Sequence, residues 1–436
     1  MRLLAPLRHR QFRLLWTGMT VSLLGDGIFY VALPWQVYQL SDAPTALSVV
    51  GIAMAVPHIA LLLLGGVVSD RFDRRRVMMA ADILRGGAVG ALGLLSLSGS
   101  LRLWHLIAMA AVFGAGTAFF GPAFDAIVPE IVPERQLTQA NALDQFVRPA
   151  AWRMLGPAIG GWIVEVFGGR TGAAFVADAA TFLASVICLA LMHHTARAST
   201  RAEEPGDTDA ESPWSQIREG FRYVRSQVWL WGTLVAATFA YLAFLGPTEV
   251  LLPYVVKYDL HAGAGTLGTI LGLGGVGAMT AAFVMGNRTM PRRNMTFIYI
   301  VWTLSTLAVA GYGLARLPWQ VMAACFVFNA LEGAGTIVWA TTKQRLVPNR
   351  LLGRVSSLDW FISIGLLPVS YALTGPLAAA LGERTVLIGA GLVGASVTMA
   401  FLFLPGLRSI ERDERLLDRA DDADALSAAG VRAWVP

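Results

Sequence analysis

Twelve stretches of this chain are apolar over about 20 residues or more, the length at which an α-helix crosses the hydrocarbon core of a bilayer. They fall at 12–40, 44–69, 76–98, 103–128, 139–167, 172–193, 228–256, 264–286, 295–315, 319–343, 353–381 and 384–405. A backbone in lipid has no water to satisfy its N–H and C=O groups, so such runs are driven into helices. Composition agrees: 55% of residues are hydrophobic and 14% charged, against about 25% charged in soluble domains. Soluble cores stop growing near about 250–300 residues, so an apolar excess spread over 436 residues needs lipid. The expected fold is an all-α membrane protein of twelve transmembrane helices. The first run, Phe12 to Leu40, is too long for the core of a cleavable signal peptide, and none is expected.

Charge placement sets an expected orientation. Of 34 basic residues only Lys257 and Lys343 are lysines. The net charge of +5 raises nucleic acid as a partner, but the arginines are scattered through short loops and form no patch, which argues against it. With the N-terminus inside, 26 basic residues fall on inner segments and five on outer loops: Arg102, Arg170, Lys257, Arg316 and Arg384. The rest, Arg85, Arg148 and Arg153, lie within spans. This positive-inside bias places the chain in the cell (cytoplasmic or inner) membrane with both termini cytoplasmic. Cys188 and Cys325 sit in separate apolar runs and read as core residues. Of six histidines only His193 and His194 adjoin, so neither a metal site nor a cofactor is expected. Neither lysine ends a G-x-x-x-x-G-K-[ST] loop, so no nucleotide is expected as a partner.

The two halves echo each other. Gly114-Ala-Gly-Thr117 recurs as Gly333-Ala-Gly-Thr336, Leu33-Pro34 as Leu252-Pro253, and Gly156-Pro157 as Gly375-Pro376, all at one separation of half the chain. Val132-Pro-Glu-Arg135 through Asp144 recurs as Val347-Pro-Asn-Arg350 through Asp359, with one loop shorter by four residues. Several matches in register predict a duplication: two parallel six-helix bundles related by a pseudo-two-fold axis, with a substrate site between them. The expected organisation is a first bundle at 1–194, a cytoplasmic linker at 195–227, a second bundle at 228–405 and a charged cytoplasmic tail at 406–436. Within the linker, 213–226 puts Trp214, Ile217, Phe221 and Val224 on one helical face, as a helix lying on a membrane surface would.

An ionisable residue within a span costs about 2.5–3.5 kcal/mol on insertion scales, so its retention points to function. Asp26, Glu332 and Glu249 lie inside spans one, ten and seven, and Arg153 lies midway along span five as a possible counter-charge. Asp26 has a local alternative, holding a bend between Gly25 and Gly27. Asp144 with Arg148, and Asp82 with Arg85, have the spacing of structural pairs. Asp359 suits the dipole at the start of its helix, and Asp178 reads as structural.

Gly66-Val-Val-Ser-Asp70-Arg71-Phe-Asp73-Arg74-Arg75-Arg76 resembles the signature loop of the major facilitator superfamily, with Asp73 where the pattern has glycine, so the turn there is expected to differ. Gly156-Pro157-Ala-Ile-Gly160-Gly161 resembles the superfamily's antiporter motif. Phe12-Arg-Leu-Leu-Trp, Leu24-Gly25-Asp26-Gly27 and the Gly121 to Leu143 run resemble its macrolide-efflux and enterobactin-exporter branch. The resemblance implies that spans one, four, seven and ten line a central cavity. Asp26, Glu332 and Glu249 are then proton-coupling candidates, and Trp35, Phe119, Phe120, Arg153, Tyr241, Phe244 and Trp339 are cavity candidates, although aromatics at helical spacing are more often packing. It implies that Asp70, Arg71, Arg74 and Asp125 latch the cytoplasmic face in the outward-facing state. The alternative is that the arginines only set topology. Gly156, Pro157, Gly160 and Gly161 mark antiport or simply let helices approach closely. The expected function is export of a small hydrophobic or amphiphilic, drug-like substrate by alternating access, in exchange for protons. An exporter of a siderophore or endogenous metabolite is the near alternative, and a non-transporting receptor or scaffold a further one. No clustered catalytic constellation suggests an enzyme.

Overall fold

In a computed structural model the described residues are 4–133, 136–192, 213–288 and 290–411, and among them there is no strand. After a short 3₁₀ turn at Ala5–Arg8, the helices are α1 (Arg10–Leu40), α2 (Pro44–Arg71), α3 (Arg74–Leu97), α4 (Leu103–Ile131), α5 (Leu137–Arg148), α6 (Gly156–Val166) and α7 (Gly172–Ala190). A helix in the linker, α8 (Pro213–Ser226), leads to α9 (Val228–Tyr254), α10 (Ala264–Gly286), α11 (Asn294–Leu314), α12 (Pro318–Leu346), α13 (Asn349–Ile364), α14 (Leu367–Leu381) and α15 (Glu383–Leu402). Eleven stretches among the described residues are long and apolar enough to cross a membrane. The remaining run of the sequence is built end to end from α5, a π turn at Pro149–Leu155 and α6. His193, His194, most of the linker and the tail beyond Glu411 fall outside the described residues.

Two breaks within spans come from proline. Pro149 and Pro157 have no N–H to give the carbonyl four residues back, and the chain between them widens to a π turn. In the second half, Pro368 likewise cannot serve Ile364, and α13 stops there before α14 resumes. The two breaks occupy corresponding places in the fifth span of each half.

Packing repeats with the sequence. α2 packs on α4 as α10 packs on α12, α3 on α7 as α11 on α15, α1 on α6 as α9 on α14. Across the molecule, α6 packs on α10 and α14 on α2, the exchange a pseudo-two-fold axis requires. The twelve-helix, two-bundle fold is therefore present in contacts as well as in sequence. At the end poor in basic residues, one buried apolar cluster joins both halves, with Val31, Val37 and Tyr38 against Val250, Leu251 and Val255. At the arginine-rich end each half has its own cluster, Phe12, Leu15, Met78 and Ile127 in the first, Leu230, Met295, Ile298 and Leu351 in the second. α8 docks on the second half. Val224 is buried in that half's cluster, Glu219 pairs with Arg354, and the Tyr223 hydroxyl donates to the Leu346 carbonyl at 3.3 Å. Phe221 is exposed and Val224 buried, so part of the face expected to lie on a membrane surface packs on protein instead; the side chains of Trp214 and Ile217 fall outside the described residues.

Two glycines carry a close helix contact between the halves. A Cβ on Gly161 would lie 2.9 Å from the Gly268 Cα and 2.6 Å from the Ala264 carbonyl oxygen. Gly161→Leu or Gly268→Leu is expected to cost about 1–3 kcal/mol by overpacking and lower the unfolding temperature of the purified protein. Gly87→Ala, with nothing within 4 Å of the added Cβ, is expected to leave it unchanged or raise it. Equal unfolding temperatures for all three would contradict this packing.

Candidate functional site

The arginine-poor end is sealed by hydrogen bonds between the halves. The Tyr38 hydroxyl donates to the Val250 carbonyl at 2.7 Å, and the Tyr258 hydroxyl donates to the Tyr38 carbonyl at 2.7 Å. Lys257 donates to that same Tyr38 carbonyl, and Tyr258 also reaches the Asp42 carboxylate. The Gly265 N–H donates to Glu165 at 3.1 Å. Tyr38 meets Tyr254 and Tyr258 edge-on at ring separations of 5.5 and 6.0 Å.

Below this seal lies a cavity of about 210 Å³ between the halves, lined from α1, α2, the π turn, α6, α9, α10, α11, α12 and α14. Six aromatic side chains stand in its wall among aliphatic ones: Phe29, Tyr30, Trp152, Tyr312, Phe328 and Tyr371. Two charged side chains enter it, Glu249 and Arg153. The Tyr371 hydroxyl donates to Glu249, and Tyr30 stands beside the same carboxylate. Arg153 donates to the Asn329 side-chain oxygen at 3.4 Å and lies over the Trp152 ring at 5.3 Å. Arg153 is near enough to feel the charge of Glu249, yet no ion pair joins the two. A partly apolar pocket with a few placed polar groups is the usual form of a small-molecule site.

Only part of the sequence expectation converges here. Glu249, Arg153 and Pro157 line the cavity; Asp26 and Glu332 do not. Asp26 turns into the first bundle, its carboxylate 3.6 Å from Arg85. Glu332 accepts from the Thr336 hydroxyl at 2.9 Å and borders a small recess inside the second bundle, with Tyr241 and Phe244. Trp35 is buried beneath Lys257, Phe120 beneath Arg85 at 4.8 Å, and Phe119 packs on the first half's own cluster. The Trp339 indole donates to Asp359 at 3.0 Å. None of these aromatic candidates lines the cavity between the halves, and the cavity's aromatics are others. Gly156 and Gly160 press against Gly27 and Ile28 of α1, while Gly161 meets α10.

At the arginine-rich end Arg74 pairs with Glu130 and donates to the Ala126 carbonyl at 3.0 Å. Residues 126 and 130 share a face of α4, four positions apart; Asp125 is turned about 100° from that face and is exposed. In this conformation, with the arginine-poor end sealed, Arg74 meets Glu130 and not Asp125; the latch expected of Asp70, Arg74 and Asp125 belongs to the outward-facing state. Arg71 is exposed, and the side chain of Asp70 falls outside the described residues. Asp73 caps α3, accepting from the Arg76 N–H at 3.1 Å, which is what the departure from glycine does to the turn. Asp144 and Arg148 form the expected i,i+4 pair at 2.7 Å, and Asp359 pairs with Lys343. Sequence reasoning missed Glu130, Tyr30, Tyr371, Asn329 and the Tyr38–Lys257–Tyr258 seal. Two of these carried a signal: Lys257 as one of two lysines, and Glu130 as the acid in the last turn of α4 facing the basic loop.

A family model described as transmembrane secretion effector matches residues 2–424. The multidrug efflux pump Tap of Mycolicibacterium fortuitum is 28% identical over 406 residues, covering 89% of this chain and 94% of that protein. Macrolide efflux protein A of Streptococcus pyogenes is 24% identical over 248 residues, 56% of this chain and 58% of that protein. Among solved structures, the nucleoside transporter NupG superposes with a TM-score of 0.66 at 11% identity, covering 90% of this chain and 99% of that one. A bacterial homologue of the lysosomal transporter Spinster superposes at 0.61 and 16% identity, covering 92% and 98%. At these identities the structures speak for the fold alone.

Lys257→Met with Tyr258→Phe removes the donors to the Tyr38 carbonyl and to Asp42. Loss of about 1–2 kcal/mol shifts the balance toward an open arginine-poor end by about five- to thirtyfold. Spin labels at exposed Ser98 and Arg316, one in each half, are expected to show a longer-distance population in the variant. Unchanged distance distributions would contradict the role given to this seal.

Proposed function

The chain belongs to the transmembrane secretion effector family of the major facilitator superfamily, and from that membership and its cavity we propose that it exports small amphiphilic, drug-like molecules by alternating access in exchange for protons. The observation that carries the reading is the cavity itself, an aromatic chamber between the bundles in which Glu249 is held by Tyr371. A carboxylate in such a chamber suits a lipophilic cation, whose charge needs a partner while its apolar body stacks on the rings. Efflux pumps among the relatives, Tap and macrolide efflux protein A, support export as the direction.

The loop charge bias puts the arginine-rich end in the cytoplasm, where substrate enters between the separate clusters of the two halves. The sealed end then faces outward. Exchange of the seal at Tyr38, Lys257 and Tyr258 for a seal at the opposite end is the movement that delivers substrate outside. The Arg74–Glu130 contact lies within the first half and travels with it. A proton driving force of roughly 200 mV supplies about 4.6 kcal/mol per proton, which sustains a gradient of about a thousandfold at one-to-one exchange.

Arg153 favours a second reading, an anionic siderophore or metabolite as substrate, since its guanidinium enters the same chamber. The two readings separate by charge. In everted vesicles, Glu249→Gln is expected to slow transport of the lipophilic cation ethidium about tenfold or more, while Arg153→Gln leaves it within about threefold, by the roughly 1.4 kcal/mol per decade scale. The reverse ranking, with an anionic dye as the moved species, would establish the second reading in place of the first. Full ethidium transport by Glu249→Gln would remove Glu249 from substrate recognition.

A further inference from the structure

Deep in the first bundle, away from the cavity, four ionisable side chains from three helices meet: Asp26 on α1, Asp82 and Arg85 on α3, and Asp178 on α7. Arg85 forms an ion pair with Asp82 and lies 3.6 Å from Asp26. The Ser185 hydroxyl donates to Asp82 at 2.6 Å. Asp178 accepts from the Thr181 hydroxyl at 3.3 Å, and its Oδ1 lies against Gly25, where an added Cβ would sit 2.2 Å away. Phe113, Phe120 and Phe182 ring the guanidinium at 5.9, 4.8 and 4.6 Å. None of the four lines the cavity.

We propose that Asp26, Asp82 and Asp178, gathered around the single Arg85, form a proton-binding site of the first bundle that is separate from the substrate cavity. Two observations carry this. The first is the unfilled hydrogen-bonding of the carboxylates. Asp178 is 0% exposed, and its Oδ2 has no partner; Asp26 Oδ1 is buried and also unpartnered. Three ionised carboxylates around one guanidinium would leave two uncompensated charges in a bundle core, a state buried groups avoid by taking up protons. A bound proton also turns an acceptor-only oxygen into a donor.

The second is the duplication, which shows that the fold does not require these charges. Gly93 packs on Val176 as Gly313 packs on Ile388, and Gly86 on Phe182 as Thr306 meets Gly394. Gly27 contacts the fifth span as Gly246 does in the second half. In that register Asp26, Asp82, Arg85 and Asp178 correspond to Leu245, Trp302, Ser305 and Ala390. The second half closes the same helix packing with no ionisable group at any of the four positions. The acid nearest there, Glu332, comes from α12.

The site has one port. The Asp26 side chain is 16% exposed, against 0% for Asp82 and 4% for Arg85, and Asp26 lies one helical turn from the cavity residue Tyr30. A proton enters at Asp26, and Arg85 moves its weight between Asp26 and Asp82 according to which is neutral. The other titratable groups facing the cluster are His58 of α2, which feels the charge of Arg85, and Arg148 of α5, which feels Asp26. α4 presents phenylalanines and Gly116 there, none of them titratable. As the proton half of an exchange this inference rests on the export reading; as a binding site it does not.

The test uses the full-length protein in lipid nanodiscs without substrate, followed by infrared difference spectroscopy between mildly acidic and mildly alkaline buffer. The wild type is expected to show the carbonyl band of a protonated carboxylic acid that disappears on alkalinisation. Asp178→Asn, Asp82→Asn and Asp26→Asn are each expected to abolish or displace that band, while Glu249→Gln leaves this component in place. Asparagine has the shape of the protonated acid, and three variants on three helices guard against one that does not fold. A band identical to wild type in the folded cluster variants, or one lost only in Glu249→Gln, would overturn the proposal. Failure of export with the cluster's band intact would strike the transport reading alone.

Discussion

Hydrocarbon cannot hydrogen-bond a peptide group or solvate a charge, and the architecture follows from that one constraint. It forces the apolar runs into helices. It also governs where helices are allowed to break. The π turn at Pro149–Leu155 and the gap between α13 and α14 free backbone groups, and both occur in the fifth span of a half, whose continuation packs against the opposite half. One of them supplies Trp152 and Arg153 to the cavity. A locally weakened helix and a functional wall are here the same segment.

The same constraint sorts the charges. Glu249 and Arg153 face a chamber between the bundles, Asp26 and Asp82 share Arg85, and Lys343 meets Asp359. Duplication lays down two similar bundles, and the differences between them then mark specialisation. The first carries a charged interior at α1, α3 and α7, and the second carries the cavity carboxylate on α9. Proton handling and substrate recognition, on this account, are divided between the halves and coupled by their relative movement.

Much of this was legible in the sequence. Span count, loop polarity and the internal repeat are one-dimensional signals that lipid enforces directly. Depth within a span was legible too, since Asp26 and Glu249 are both within the membrane-crossing stretches. The direction a side chain faces was not. Asp26 and Tyr30 are one turn apart on α1, yet one reaches Arg85 and the other the cavity, because tilt and local packing decide between nearby azimuths. Trp35 and Phe120 were read as cavity residues for the same reason, and each instead covers a cation. Partners contributed by a distant segment were equally out of reach. Nothing local tells that Tyr38 closes on Val250.

The central claim is that a proton gradient drives substrate through the chamber between the bundles. Purified protein reconstituted in proteoliposomes, loaded with equal ethidium on both sides and given an imposed pH gradient, tests it most directly. The account predicts that dye accumulates against its own gradient on the side acid relative to the other, and that collapsing the pH difference with an ionophore abolishes the accumulation. Dye that merely equilibrates at the same rate with and without the pH gradient would contradict it.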